Sequence, residues 1–276
     1  MRAIEADVKY LRLCSIRTSH LGARIDACPD GKHDHARCYM IFGAILAGGV
    51  GSRMNIESMP KQYLPLGDKP IFLHTLEKFL MCEEFDAVYI GTHADWVDFT
   101  KDTIESSPLA NAPVHVVVGG ESRNGTIMNI IKAIEADFGA SSDNIIVTHD
   151  SVRPFVKLST IKENIAAARE FGACDTVIPA TDTIVVSEGG ETIDSIPLRS
   201  TMYQGQTPQS FRISVLKELY EGLDEGERAT LTDACKILVL KGQPVHLVEG
   251  DVTNIKLTTI MDYRVAQAMV ETGIED

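Results

Sequence analysis

An apolar run, Met40-Ile-Phe-Gly-Ala-Ile-Leu46, passes without a charged residue into Ala47-Gly48-Gly49-Val50-Gly51-Ser52-Arg53-Met54. Apolar residues without polar alternation read as a strand buried on both faces, the kind found where helices cover a parallel sheet. The glycines that follow let backbone N–H groups approach a ligand without Cβ obstruction. The loop is not a Walker P-loop, because no G-K-[ST] follows. Nor is it the dinucleotide fingerprint, because Met54 stands where the third glycine belongs.

Downstream, strand and helix patterns alternate. A helix is expected after Pro70, with Ile71, Leu73, Leu76, Phe79 and Leu80 apolar. A strand follows near 87–91, a helix after Trp96, a strand at 114–118 and a helix at 123–138. Residues 144–148 form the next strand, and Thr160-Ile-Lys-Glu163 has capping-box spacing for another helix. This order predicts an α/β layered domain with a mostly parallel sheet. One stretch breaks it: Thr183-Ile-Val-Val and Thr192-Ile-Asp-Ser-Ile flank Ser187-Glu188-Gly189-Gly190 and read as a β-hairpin. That arm, placed at about 180–212, is expected to project and to exchange with a second copy in a homodimer.

Residues 1–39 differ from the rest: they carry net charge +2 against −15 for the remainder. They are expected to be a disordered extension or sequence upstream of a true start at Met40, leaving 40–276 as the functional domain. The stretch Cys28…His33…His35…Cys38 has a spacing that fits no usual structural zinc pattern. The overall charge of −13 argues against a nucleic-acid partner. No apolar run reaches membrane-span length, no secretory signal is visible, and six sparse cysteines suit a reducing, cytoplasmic setting.

Four segments carry candidate chemistry. Arg53 and Pro60-Lys61-Gln62 place cations beside the glycine loop, which suits a triphosphate. His149-Asp150-Ser151-Val152-Arg153-Pro154 ends an apolar strand, the edge at which open α/β sheets bind ligands. A carboxylate there is suited to Mg2+ bridging phosphates, whereas Arg153 reads equally as a structural ion pair or a substrate contact. Gly119-Gly120-Glu121-Ser122-Arg123-Asn124-Gly125-Thr126 joins a strand to a helix. Asn254-Ile255-Lys256-Leu257-Thr258 reads as an uncharged strand interrupted by one lysine. No nucleophile–base pair is present. A phosphate acceptor, mostly dianionic at neutral pH, needs none. Alignment and charge stabilisation then suffice.

Taken in order, several motifs resemble the cytidylyltransferase family of methylerythritol-phosphate and ribitol-phosphate enzymes. They are Ala47-Gly-Gly-x-Gly-x-Arg-Met, Pro60-Lys-Gln62, Gly67-x-Lys-Pro70, Asp150-x-x-Arg-Pro154, Gln206-Thr-Pro-Gln-x-Phe211, Thr232-Asp233 and Asn254-Ile-Lys-Leu-Thr258. Ser151-Val152, where the methylerythritol enzymes typically carry Ala-Ala, is similar to the ribitol 5-phosphate branch of wall teichoic acid and capsule synthesis. So are Tyr203-Gln-Gly-Gln and Thr232-Asp-Ala-Cys-Lys236.

The resemblance implies a Rossmann-like three-layer nucleotidyltransferase sandwich with a protruding β-arm. The implied reaction transfers CMP from CTP to D-ribitol 5-phosphate, releasing pyrophosphate. Leu46, Ala47, Gly48, Gly49 and Gly51 would wrap the triphosphate, and Arg53, Lys61 and Lys256 would stabilise its charge. Asp150 would position Mg2+. Gly119, Gly120 and Thr126 would meet the cytosine, Ser151 the nucleoside, and Arg123 would contact the nucleotide. Thr183 and Arg199 would bind the acceptor phosphate across a dimer interface, and a reductase forming the polyol phosphate is a possible functional partner.

The nearest rival uses 2-C-methyl-D-erythritol 4-phosphate as acceptor. A sugar-nucleotide pyrophosphorylase would lack the D-x-x-R-P and Q-T-P-Q set. A non-catalytic CTP-binding regulator is the rival of another class, and intact Arg53, Lys61, Asp150 and Lys256 argue against it.

Overall fold

The computed structural model describes residues 39–49 and 59–273. The expectations for the N-terminal extension and its Cys/His stretch, and for Gly51 and Arg53, lie outside the described residues.

The strands run β1 (Ile41–Ala47), β2 (Pro65–Leu66), β3 (Lys69–Pro70), β4 (Ala87–Thr92), β5 (Val114–Val118), β6 (Ile145–Asp150), β7 (Ala173–Pro179), β8 (Tyr203–Arg212) and β9 (His246–Glu249). The helices are α1 (Ile71–Met81), α2 (Val97–Glu105), α3 (Arg123–Phe138), α4 (Leu158–Phe171), α5 (Ile213–Glu221), α6 (Glu225–Ala229), α7 (Cys235–Leu240) and α8 (Ile260–Thr272). Seven strands form one sheet in the order β5-β4-β1-β6-β8-β7-β9, with β2 and β3 paired separately. Within it only β8 runs against its neighbours β6 and β7. The α/β/α sandwich expected from the alternating pattern is the fold found.

Side chains alternate across a strand, so β1 feeds two cores. Ile41 and Ile45 pack with Phe72, Leu76, Phe79, Ile104, Ile161 and Ile165, which belong to α1, α2 and α4. Phe42 and Ala44 pack with Ile127, Ile130, Ile134, Leu216 and Ile237, which belong to α3, α5 and α7. A third cluster, Leu66, Ile71, Val152, Phe155, Leu257 and Ala266, seats α8 beside the turn after β6. Among the described residues no helix is long and apolar enough to cross a membrane. Cys82, Cys174 and Cys235 are buried free thiols.

Three local expectations are corrected. Helix α4 begins at Leu158 after Lys157, so Thr160 lies inside it and is no cap; its carbonyl accepts from Asn164 Nδ2 at 3.0 Å. Starting there puts Leu158, Ile161 and Ile165 on one face toward the core, which outweighs a capping box half a turn later.

Residues 254–258 are irregular, not a strand. Asn254 and Leu257 are both buried, and positions three apart cannot both face inward in a strand.

The expected hairpin reduces to a single bridge, Val186 with Ser195. Its side chains are almost all exposed, so no packed face favours a longer ladder. The last residues assigned to the arm, from Tyr203, belong to β8 in the main sheet.

Candidate active site

The C-terminal ends of β1, β4 and β6 line one edge of the sheet, and the glycine loop leaves β1 there. Gln62 holds its base. This side chain is 2% exposed, and its Nε2 donates to Ala47 O at 2.6 Å and Gly49 O at 3.0 Å. Next to it, Tyr63 is buried, with its hydroxyl 2.6 Å from Thr92 Oγ1 and 2.8 Å from Thr100 Oγ1. Burial raises the phenol's pKa, so it stays protonated, and the ring stacks on Trp96 at 4.9 Å. The short turn Lys61–Tyr63 is thereby anchored through its second and third residues, and Lys61 is held beside the loop. Gln62 was visible in the Pro-Lys-Gln motif, yet the motif alone does not disclose that the glutamine is a clamp.

Gly48, Gly119, Gly120 and Thr126 lie together. Gly119 N donates to Thr92 O at 2.6 Å, and Gly120 N donates to Thr126 Oγ1 at 3.0 Å. Ser122 caps α3 by accepting from Gly125 N at 3.0 Å, worth about 1 kcal/mol. Glycine is required at 120, where a Cβ would lie 2.6 Å from the Gly125 carbonyl carbon. It is required equally at Gly91, where a Cβ would lie 2.4 Å from Thr126 Cγ2. Sequence patterns miss Gly91, because its role is to let α3 approach β4.

Asp150 ends β6 and is 7% exposed. Lys256 Nζ lies 2.8 Å from its Oδ2, Arg123 Nε 3.4 Å from its Oδ1 and Arg153 Nε 3.6 Å from its Oδ2. Burial alone would raise the carboxyl pKa, but Arg123, Lys256 and Arg153 outweigh it and hold the acid ionised. Three cations around one carboxylate leave a local charge of +2 in a chain of net −13. Such a patch receives phosphate. Arg153 is 8% exposed and donates to Asn254 O at 2.7 Å, so it makes a structural ion pair. Arg123, expected from the sequence to contact the nucleotide, stands against Asp150.

The neighbouring motifs explain how these cations are aimed. Asn254 Nδ2 donates to Thr207 O at 2.8 Å and Gln206 Oε1 at 3.2 Å, while Leu257 N donates to Val152 O at 3.0 Å. Lys256 lies between these two inward anchors and turns outward onto Asp150. Thr207 Oγ1 accepts from Asp150 N at 3.3 Å and lies 2.9 Å from His149 Nδ1. Burial lowers the His149 imidazole pKa to about 4, so it is neutral at physiological pH. Ser151 is 2% exposed; its N donates to Leu46 O at 3.1 Å and its carbonyl accepts from Thr75 Oγ1 at 3.0 Å. Thr183 and Arg199 sit on the exposed arm, where Arg199 Nη1 donates to Thr181 O at 3.2 Å.

Among the described residues no group of three or more His, Cys, Asp or Glu is placed to hold a metal. Asp150 offers one carboxylate. It is already paired with Lys256, Arg123 and Arg153, so Mg2+ would share it only together with triphosphate oxygens that draw those cations away.

A family model described as IspD, 2-C-methyl-D-erythritol 4-phosphate cytidylyltransferase, matches residues 41–272. The chain is similar to a solved 4-diphosphocytidyl-2C-methyl-D-erythritol synthase from Anaerococcus prevotii. Identity is 26%, over 84% of this chain and 96% of that one, with a TM-score of 0.70. It is also similar to the 2-C-methyl-D-erythritol 4-phosphate cytidylyltransferase of Thermus thermophilus, at 25% identity, 84% and 99% coverage and TM-score 0.63. The Francisella tularensis 2-C-methyl-D-erythritol 4-phosphate cytidylyltransferase shares the fold at TM-score 0.69 and 23% identity, over 83% of this chain and 99% of that one.

Proposed function

The chain belongs to the 2-C-methyl-D-erythritol 4-phosphate cytidylyltransferase family, and on that premise we propose that it transfers CMP from CTP to the phosphate of a polyol phosphate. The observation that carries the reading is the cationic cluster of Arg123, Arg153 and Lys256 on Asp150, at the sheet edge where the glycine loop and Gly119–Thr126 also meet. An acceptor phosphate oxygen attacks the α-phosphorus of CTP, the bond from that phosphorus to the bridging oxygen breaks, and pyrophosphate leaves. The acceptor is already dianionic, so no side chain removes a proton. Lys61, held beside the loop by Gln62, acts on the charge that builds at the α-phosphate. Lys256 and Arg123 exchange part of their contact with Asp150 for phosphate oxygens. Gly119, Gly120 and Thr126 receive the base, and Gly48 lies against the triphosphate. Mg2+ at Asp150, when bound, would neutralise triphosphate charge and orient it.

The matched family and its solved relatives support 2-C-methyl-D-erythritol 4-phosphate as the acceptor more directly than any other compound. A second reading, D-ribitol 5-phosphate feeding wall polymer synthesis, is favoured by Ser151-Val152 in the position where the methylerythritol enzymes' motif typically has Ala-Ala. In either case Thr183 and Arg199 would take the acceptor phosphate of a second copy. The arm's exposed Val185, Val186, Ile193, Ile196 and Leu198 form an apolar surface suited to that dimer contact.

The test is pyrophosphate release from CTP and Mg2+ with each polyol phosphate in turn. Release with methylerythritol phosphate alone or ribitol phosphate alone assigns the acceptor. CTP binding without release in either case refutes the transferase reading.

A further inference from the structure

Asp175 takes no part in the transfer chemistry, yet it is the one charged residue in β7, Ala-Cys-Asp-Thr-Val-Ile-Pro. Strand pairing sets Asp175 opposite Gln209 of β8, and Gln209 opposite Thr148 of β6, two residues before Asp150. Opposed residues share a face, as do residues two apart in a strand. Asp150, Thr148, Gln209 and Asp175 therefore run as one row across the sheet, beneath the first turn of α3.

The row is polar and incompletely paired. Asp175 Oδ1 accepts from Gln209 Nε2 at 3.0 Å. Gln209 Oε1, Asn124 Oδ1 and Arg123 Nη1 are buried atoms with no hydrogen-bond partner among the described residues. Gln209 is 2% and Asn124 4% exposed. Asn124 donates to Asp233 O at 3.4 Å, closing the far side. Beside Asp175, Gly205 of β8 stands opposite Val177, and even a Cβ there would stay 3.8 Å from Oδ2, so no side chain from that position fills the space. Burial pushes the Asp175 carboxyl up to about 6 and Asp233 adds to the rise, against opposing effects of Gln209 and Arg123. Orphaned buried polar atoms are costly, and several together call for a ligand that completes them. Three of these groups accept hydrogen bonds and one donates. The complement is a chain of hydroxyls next to an anion.

We propose that Asp175 and Gln209 are the hydroxyl-reading wall of the acceptor subsite, accepting hydrogen bonds from the polyol chain. The proposal rests on the transfer reading above and deepens it. A wall of acceptors selects a chain bearing hydroxyls along its length, because a methyl group set against it leaves those acceptors unpaired.

The experiment is steady-state pyrophosphate release by wild type, Asp175→Asn and Asp175→Leu. The acceptor is whichever polyol phosphate the wild type uses, and CTP is varied separately. KM for that acceptor should rise tenfold or more in Asp175→Leu and less in Asp175→Asn, with kcat within threefold and KM for CTP unchanged. An unchanged acceptor KM in both folded variants overturns the proposal, as does an equal rise in both KM values. If the wild type turns over neither acceptor, the transfer reading fails by itself. Calorimetric titration of ribitol 5-phosphate then decides the wall: binding lost in Asp175→Leu supports it, and equal binding or none in the wild type overturns it.

Discussion

Replacing Asp175 by asparagine should make the protein more stable at neutral pH. The carboxyl titrates at 3.8 when unfolded and at about 6 in the fold, chiefly because burial disfavours its charge. Asp233 reinforces that rise, while the Gln209 amide, Arg123 and the Cys235 thiol oppose it. The folded state thus holds the proton more tightly than the unfolded chain. Its stability advantage is full below the unfolded value, drains away between about pH 4 and 6, and is gone above about pH 7. At about 1.4 kcal/mol per pKa unit, the ionised carboxylate costs about 3 kcal/mol at about pH 8 relative to a neutral group. Asparagine has the same shape, carries no charge and still accepts from Gln209 Nε2. Urea unfolding should show a gain of about 2–3 kcal/mol at about pH 8 and under about 1 kcal/mol at about pH 4, with an unchanged slope. An equal effect at both pH values, or destabilisation at the higher one, would mean that Arg123 pairs with Asp175 strongly enough to stabilise its charge, and the burial reasoning would be wrong. A substitution that stabilises the fold while weakening acceptor binding is the trade-off expected of a group kept for its ligand.

Lys61→Ala should lower kcat by about 10²–10³ while CTP binding, measured calorimetrically, survives; near-wild-type turnover would remove Lys61 from the mechanism. Lys256→Ala should lower kcat by a similar factor, and a normal rate would show that its contact with Asp150 is structural alone. Gly91→Ala drives a Cβ to 2.4 Å from Thr126 Cγ2, so thermal unfolding should report a loss of about 1–3 kcal/mol and KM for CTP should rise. On the arm reading the parent should sediment as a dimer and Ile196→Asp together with Leu198→Asp should yield monomers in sedimentation equilibrium; equal masses would dispose of the arm contact.

Much of the layered fold could be read in advance, since β1 is apolar throughout and α3 and β5 have the bounds expected of them. Local patterns failed where a tertiary demand overrode them. Thr160 has the chemistry of a cap, but α4 starts where half-buried Leu158 packs against the core beside Ile161 and Ile165. Asn254 to Thr258 has the composition of a strand, but two inward anchors three residues apart bend it. At the site, Asp150, Lys61 and Lys256 were legible because each sits in a compact motif. Their mutual arrangement was not, since Arg123 and Lys256 reach Asp150 from 27 residues upstream and 106 downstream. Asp175 left one trace, a lone acid in an apolar strand. What surrounds it comes from β8, α3 and the turn before α7, and no window of sequence holds all of them.

The reversed direction of β8 has a consequence for how such a chain can change over generations. Between parallel strands the connection departs from one edge of a sheet and re-enters at the other. Between β7 and β8 it leaves and re-enters on the same edge, the one that holds Asp150. An excursion inserted there can lengthen, shorten or alter its residues without re-threading a strand or disturbing either core. Both of its ends nevertheless stay fixed at that edge. The topology thus lets the segment between β7 and β8 be revised while the sheet and its two cores stay in place.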